Sequence, residues 1–254
     1  MKNKEDKLFN KLANMSKEGT SRLHILEETI PVNEQMEYFN YSSRIREDAG
    51  RYLNRNYLVS ILFDPDYAIE EKRRSLSLLA SLPDVAAYRA IETYHSSPLE
   101  PELTNWSSLA LVESRILLNS ELTGEQQIFI STGLGGHNNK LRYFCVISSK
   151  SGEDFTVLQN EIIEREFKFQ FECKKIEIEK TNNWGYYITY IFLADLTIDV
   201  KAFIEQVVSE CNQYGDFINI NFLITNTKQL SNEEIELNLK KQHLDISPDI
   251  ATEN

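Results

Sequence analysis

The chain has 254 residues, of which 41% are hydrophobic and 26% are charged, and its formal net charge is −12. This balance predicts a soluble globular protein of one or two domains. No apolar run approaches the ~20 residues that span a bilayer, and no segment carries the clustered Lys and Arg that bind phosphates, so we expect neither membrane insertion nor nucleic-acid binding.

Residues 1–125 are predicted to form an all-helical domain. Apolar residues recur at helical spacing in four successive stretches, and Asp64-Pro65, Pro83 and Pro98 separate them, because proline ends or kinks a helix. Asn33 is a candidate cap for an earlier helix. The four stretches are 52–63, 69–82, 85–95 and 103–122.

The segment LFDPDYAIEEKRRSLSLLASLPDVAAYRAIETY resembles a HEAT-type repeat. Asp64-Pro65-Asp66 matches the family's corner, the run from Glu70 to Arg74 matches its charged segment, and Leu76, Leu79 and Ala80 match its apolar ridge. The resemblance spans about residues 50–122 and implies a solenoid whose surface binds other proteins. A second Asp-Pro corner is missing and three or more repeats are usual, so a plain helical bundle is the alternative.

Residues 126–226 are predicted to form an α+β domain. A short strand at 127–131 and a glycine-rich hairpin or hinge at 132–139 precede the order strand, helix, strand, strand, helix, strand. Thr197 and Gly215 are expected to begin and end the second helix. Ile176, Ile204 and Ile220 are expected to share one interior. The predicted strands are 140–149, 172–180, 186–194 and 217–225, and the helical stripes are 155–167 and 200–211.

This βαββαβ order resembles the ferredoxin-like fold, in which two helices cover one face of the sheet. The predicted fold class is therefore α+β, with a HEAT-like or bundled helical domain followed by a ferredoxin-like domain. Residues 227–254 read as a polar tail with a short helix, which a capping box of Ser231 and Glu234 begins.

The loop Gly133, Gly135, Gly136, His137 and Asn138 is the best candidate for ligand binding. Glycines leave backbone N–H groups open, and such loops can hold anions. However, the loop leads into a strand, and it has neither the Lys-Ser/Thr ending nor the spacing of a nucleotide-binding loop. A hairpin tip or hinge is the alternative interpretation.

No catalytic residue, metal site or cofactor is predicted. The four histidines, His24, His95, His137 and His243, have no second ligand at metal-binding spacing. Cys145, Cys173 and Cys211 form no CxxC pair, and their odd number argues against a disulfide framework. We interpret them as buried thiols of a cytoplasmic protein.

Two groups are candidates for contacts with a partner. Glu70, Arg73 and Arg74 form a charged ridge or a solvated helix face. Tyr143 and Tyr190 resemble the stacking aromatics of RNA-recognition folds, but the basic and glycine signature around them is absent, so core packing is the alternative.

The predicted function is that of a non-catalytic interaction or regulatory protein of the cytoplasm. The helical half would bind another protein, and a sheet face left open by its own helices would bind another copy of the chain. The alternative is a small-ligand sensor or enzyme that uses the loop 133–137.

Overall fold

The computed structural model describes residues 21–48 and 54–246, which form eight α-helices, one 3-10 turn and seven strands. The described residues up to Asn139 form one compact unit and those from Lys140 form a second. The α+β class and the order of helices before the main sheet are confirmed. Within these residues, no helix is both long and apolar enough to cross a membrane.

The first unit, here the helical unit, contains five α-helices and a small parallel strand pair. β1 pairs with β2 from Ser21 opposite Gln126 to Ile25 opposite Ile130, and the sequence patterns predicted no strand at 21–25. The elements are β1 (Ser21–Ile25), α1 (Val32–Asp48), α2 (Arg55–Phe63), α3 (Ile69–Ala80), α4 (Val85–Ser96), the 3-10 turn (Pro101–Leu103), α5 (Thr104–Thr123), β2 (Gln126–Ile130) and β3 (Gly136–His137).

Helix α3 lies at the centre of the helical unit and packs against α1, α2, α4 and α5. Its Leu76, Leu79 and Ala80 are fully buried, as their spacing predicted. Lys72 is buried as well, with 0% of its surface exposed. The charged run around it is therefore not a solvated face throughout, because Lys72 turns inward and pairs with Glu100.

The second unit, here the sheet unit, contains four antiparallel strands in the order β7-β4-β6-β5. Helix α6 begins with a capping box of Thr156 and Gln159. Helix α7 begins at the cap Asp199 and not at Thr197, whose side chain bonds to Asp195 instead. The elements are β4 (Lys140–Ser148), α6 (Val157–Cys173), β5 (Glu177–Asn183), β6 (Tyr187–Asp195), α7 (Val200–Asn212), β7 (Leu223–Thr225) and α8 (Asn232–Ile246).

The apolar faces of α6 and α7 and one face of the sheet form a common core. All six residues of the predicted α7 stripe are buried, because a period of 3.6 places them on one side of the helix. They are Val200, Phe203, Ile204, Val207, Val208 and Cys211. On α6, Ile162, Ile163 and Phe167 are buried, while Leu158 is exposed, contrary to its predicted place in the stripe.

The last strand is much shorter than its alternating pattern predicted. β7 covers three residues, and upstream of it only a single bridge joins Ser149 to Ile218. Two backbone hydrogen bonds, from Lys150 N–H to the Phe217 carbonyl and from Asn219 N–H to the Ser148 carbonyl, hold this bridge. The chain then bends at Ile220, where Asn219 Oδ1 accepts a hydrogen bond from the Asn221 N–H at 2.9 Å. Ile220 is 73% exposed, and the expectation that it joins Ile176 and Ile204 in one interior is wrong.

The second face of the sheet is not open. Phe144, Val146 and Leu193 alternate with the residues that face α6 and α7, and all three are buried. Helix α8 follows the confirmed Ser231–Glu234 capping box, and its Ile235 and Leu239 are buried too. The expectation of a free sheet face for a second copy was therefore wrong.

Candidate functional site

The glycine-rich loop uses its backbone donors internally. Gly135 donates its N–H to the Thr132 carbonyl at 3.2 Å, and Gly136 donates to the Glu27 carbonyl at 3.4 Å. Gly135 has a φ of +65°, and a Cβ there would lie 2.5 Å from the Glu28 carbonyl oxygen and closer still to that of Glu27. These glycines thus permit a close backbone approach, and together with Gly133 they are buried.

The polar end of the same loop lies beside a carboxylate. His137 Nδ1 lies 3.3 Å from a side-chain oxygen of Glu27. Asn138 and Asn139 have φ values of 49° and 62°, so they form a left-handed turn before β4. The loop therefore presents an acidic group where an anion would bind, and its N–H groups are largely occupied.

The predicted partner residues belong to different units. In the helical unit, Glu70 pairs with Arg73 at 3.6 Å, and the Arg73 guanidinium lies 5.1 Å from the centre of the Trp106 ring. Arg74 is exposed and Glu70 makes no ion pair with it within the described residues. In the sheet unit, Tyr143 stacks on Phe192, and burial raises the pKa of Tyr143 to about 12.

Tyr190 leads to a different site, a cavity of about 430 Å³ between α6 and strands β5 and β6, here the sheet-unit cavity. No sequence pattern indicated this cavity, because helix α6 and the edge strand β5 each contribute separate residues that do not form a sequence motif. Its lining residues are Asn160, Ile163, Glu164, Phe167, Lys168, Ile178, Thr181, Asn183, Ile188 and Tyr190.

The floor of the sheet-unit cavity is apolar and aromatic. The rings of Phe167 and Tyr190 stack with their centres 4.6 Å apart and their planes 8° apart. Ile163 and Ile188 are buried beside them. Such a surface favours a flat apolar face of a ligand.

The Tyr190 hydroxyl remains protonated throughout the physiological pH range. Burial raises the pKa of Tyr190 strongly, and the nearby Cys145, Cys211 and Glu164 raise it further. The residue is 4% exposed, and within the described chain no hydrogen bond occupies its hydroxyl. A hydroxyl that makes no hydrogen bond and lies in the wall of a cavity is available to a ligand.

The rim adds further polar groups that are free to bind. Asn183 accepts a hydrogen bond from the Gly185 N–H at 2.9 Å and donates one N–H to Asn160 at 2.8 Å, which leaves its second N–H. Thr181 makes no side-chain hydrogen bond among the residues that the structure describes. Over the same residues, Glu164 and Lys168 make no ion pair, so the rim carries one free anion and one free cation.

The site offers no metal centre. Over residues 21–48 and 54–246, no group of three or more His, Cys, Asp or Glu side chains could hold a metal ion. Cys145 and Cys211 are buried free thiols, and burial raises the pKa of both. The sheet-unit cavity offers hydrogen-bonding groups, apolar contact and, at its rim, the carboxylate of Glu164 and the ammonium of Lys168.

No family model and no curated protein matches the chain. Among solved structures, it is similar to a protein of Deinococcus radiodurans R1 that is provisionally described as a transposase. That likeness has 11% identity, covers 42% of this chain and 94% of the other, and has a TM-score of 0.37. A REP-associated tyrosine transposase bound to a REP hairpin shares 8% identity over 41% of this chain and 62% of its own length, with a TM-score of 0.31.

These neighbours are at odds with the expected function. One is provisionally described as a transposase, and the other is a transposase bound to a REP hairpin. The expectation of a non-catalytic, helical-repeat, protein-binding protein with no nucleic-acid partner disagrees with both descriptions and is withdrawn. Likeness at these TM-scores carries no argument about the activity of this chain.

Proposed function

We propose that the sheet unit binds a planar nitrogen heterocycle of the nucleobase class in the sheet-unit cavity. The observation that carries this proposal is the unpartnered, neutral hydroxyl of Tyr190 beside an apolar floor. A nucleobase has two apolar faces and an edge of hydrogen-bond donors and acceptors, so it needs both kinds of surface at once.

The size and polarity of the cavity suit such a ligand. Its volume of about 430 Å³ lies within the ~300–1,000 Å³ of small-molecule pockets. Tyr190 and Thr181 can each donate and accept through a hydroxyl, and the second Asn183 N–H donates. Together they supply the mixed donor and acceptor edge that a base requires.

The charge of the site favours the base over its phosphate. Lys168 would attract a phosphate, but Glu164 stands one helical turn away on the same rim and would repel it. The chain as a whole carries −12. We therefore expect the heterocycle to supply most of the affinity, whether it comes as a free nucleoside or as an unpaired base of a single strand.

The test is calorimetric titration of the full chain. The ligands are the four common nucleosides, their 5′-monophosphates, a short single-stranded DNA and the same strand with abasic sites. We expect at least one nucleoside to bind and its monophosphate to bind within about threefold. The intact strand distinguishes a nucleic-acid source of the base from a free one, and the abasic strand should not bind.

Two variants place the ligand in the cavity. Tyr190→Phe removes only a hydroxyl and should weaken binding about 5- to 10-fold, the worth of one hydrogen bond. Tyr143→Phe is the matched control, because Tyr143 lies on the same sheet face outside the cavity and should leave affinity unchanged. Apolar amino acids as the only binders, or nucleoside binding that is indifferent to both Tyr190→Phe and Thr181→Val, would overturn the proposal.

We also propose specific fold types for the two units. The antiparallel order β7-β4-β6-β5 with α6 and α7 on one face supports a ferredoxin-like fold for the sheet unit. In a solenoid each repeat contacts only its neighbours, whereas α3 packs against four other helices. That packing supports a bundle for the helical unit rather than a HEAT-type stack.

The cytoplasm remains the compartment that we propose. The three cysteines are free thiols, two of them buried, and free thiols are typical of a reducing compartment. Thiol titration of protein purified without reductant, which should yield three thiols after denaturation, tests this proposal.

A further inference from the structure

A second cavity, of about 370 Å³, lies within the helical unit between α1, α5 and β2, here the helical-unit cavity. It shares no residue with the sheet-unit cavity, so it stands independently of the function proposed above. Its lining residues are Phe39, Arg46, Val112, Glu113, Ile116, Leu117, Ser120, Gln127 and Phe129.

One end of the helical-unit cavity is a charged cluster built around Glu113. Oε2 of Glu113 accepts hydrogen bonds from the hydroxyls of Tyr38 at 2.7 Å and Ser42 at 3.0 Å, and both donors are fully buried. Oε1 forms an ion pair with Arg46, with 2.8 Å between it and Nη1. Burial and the adjacent carboxylate raise the pKa of Tyr38 well above its ordinary value, so its hydroxyl stays a donor.

Arg46 supplies the free hydrogen-bond donors of this cluster. Two hydroxyl donors and the Arg46 ion pair already engage the Glu113 carboxylate. Arg46 uses Nε on the Ser42 carbonyl at 3.2 Å and Nη1 on Glu113, and within the described residues its remaining N–H groups have no acceptor. A guanidinium has five N–H groups in a planar fork, so part of the fork is open to a ligand.

Apart from Ser120 and Gln127, the rest of the helical-unit cavity is apolar. Val112 and Ile116 are one turn apart on α5, and Leu117 lies next to them. Phe39 and Phe129 contribute tilted rings whose centres are 6.1 Å apart. A largely apolar chamber that ends in a partly exposed guanidinium with free N–H groups matches an amphipathic molecule with an acceptor at one end.

We infer that the helical-unit cavity binds a small amphipathic carboxylate, with the carboxylate on Arg46 and the apolar chain between α5 and Phe129. A planar carboxylate fits a planar guanidinium in two parallel hydrogen bonds. Glu113 weakens the attraction of Arg46 for any anion, and this disfavours a doubly charged phosphate more than a monoanion. A protonated amine headgroup should bind less well, because Arg46 repels it and the Glu113 carboxylate is already engaged.

The experiment is titration of the full chain with octanoate, 1-octanol and octylamine, which share a tail and differ in the headgroup. We expect octanoate to bind at least about tenfold more tightly than either of the others. Equal binding of octanol, or tighter binding of octylamine, would overturn the assignment of the headgroup.

Two variants of α5 test the location without touching the ion pair. Ile116→Trp fills the cavity and should abolish octanoate binding, whereas Leu122→Trp places the same ring at an exposed position on the same helix and should leave binding unchanged. Arg46→Lys keeps the charge but removes the fork and should weaken octanoate more than octanol. Octanoate binding that survives Ile116→Trp in a folded protein contradicts the inference.

Discussion

The core of the helical unit contains a fully buried lysine ammonium, whereas the core of the sheet unit contains no charged side chain among its buried members. Lys72 pairs with Glu100, which also accepts a hydrogen bond from the Tyr94 hydroxyl at 2.5 Å. In the sheet unit the charges pair on the outside, as Lys140 does with Glu177 at 2.6 Å.

This difference determines what each unit is sensitive to. A buried ion pair is strongly destabilising when one partner is removed, because the other charge remains without compensation. An apolar core responds to lost volume and hardly to pH. The helical unit should therefore be vulnerable to single polar substitutions and to acid, and the sheet unit to single apolar truncations.

The largest effect is expected at the Lys72–Glu100 pair. Glu100→Gln should lower the free energy of unfolding of the helical unit by about 3–5 kcal/mol, because the fully buried Lys72 ammonium loses its anionic partner. Denaturant unfolding followed by Trp106 fluorescence in a Trp184→Phe background measures it. The double variant Lys72→Met/Glu100→Gln should recover much of the loss, and a single variant that costs under ~1 kcal/mol would contradict the comparison.

The next largest effect belongs to the sheet unit. Ile204 is fully buried on α7, so Ile204→Ala should cost about 2–5 kcal/mol. Ile220→Ala is the matched control, since the same truncation at an exposed position should change stability by no more than ~0.5 kcal/mol. Trp184 fluorescence in a Trp106→Phe background reports this unit, and similar losses at the two positions would show that Ile220 is buried after all.

A smaller effect is expected in the glycine-rich loop. Gly135 and Gly124 have nearly the same φ, +65° and +66°, but only at Gly135 would a Cβ meet backbone atoms. Gly124→Ala should cost about 1–2 kcal/mol from the left-handed conformation alone. Gly135→Ala should cost ~1–3 kcal/mol more from the overlap with Glu27 and Glu28. Equal shifts in the thermal midpoint would mean that the loop moves aside freely.

The smallest expected effect is a change in how the stability of the helical unit depends on pH. Burial by itself raises the pKa of Glu100, but hydrogen bonds from Lys72 and Tyr94 outweigh it and hold the pKa below its ordinary 4.5. A carboxyl group whose pKa is lower in the folded state stabilises the folded protein at pH values above its unfolded-state pKa. This stabilisation is lost as the pH falls through the folded-state pKa. The acid side of the stability curve should be flatter in Glu100→Gln than in the parent.

The control for this pH effect is Glu102→Gln, which removes an exposed carboxylate from the neighbouring 3-10 turn and changes the net charge equally. Its acid profile between pH 6 and 3 should follow that of the parent. An unchanged profile in Glu100→Gln would mean that the Lys72 pair contributes nothing to acid sensitivity.

Local patterns predicted the elements whose periodicity is self-contained. The α7 stripe from Val200 to Cys211 is buried throughout, since helical spacing alone assigns those residues to one face. The alternation at 217–222 predicted a strand just as clearly, but pairing is interrupted after Asn219, where the chain bends at Ile220 and the Asn219 side chain accepts the Asn221 N–H. Alternation of apolar residues does not indicate such a bend.

The candidate sites could be foreseen only in part. The sequence indicated Tyr190 as an aromatic residue on a strand. The other residues of the cavity, such as Lys168 on helix α6 and Thr181 on the edge strand β5, belong to other elements of the fold. The buried Lys72 lay in a run of charges that predicts a solvated helix face. No local pattern distinguishes Lys72 from the other charged residues of this run. Its partner Glu100 lies 28 residues further along the chain and reaches it only in the folded structure.

The amino-acid sequence by itself determined the α+β class, the amphipathic helices and the positions where glycine permits a left-handed backbone, because these depend on neighbours three or four residues apart. The tertiary structure alone decided which charges are buried, which isoleucines face water and where the cavities lie. Those outcomes depend on contacts between residues that are far apart in the chain. The spacing of residues along the sequence does not reveal which of them will meet.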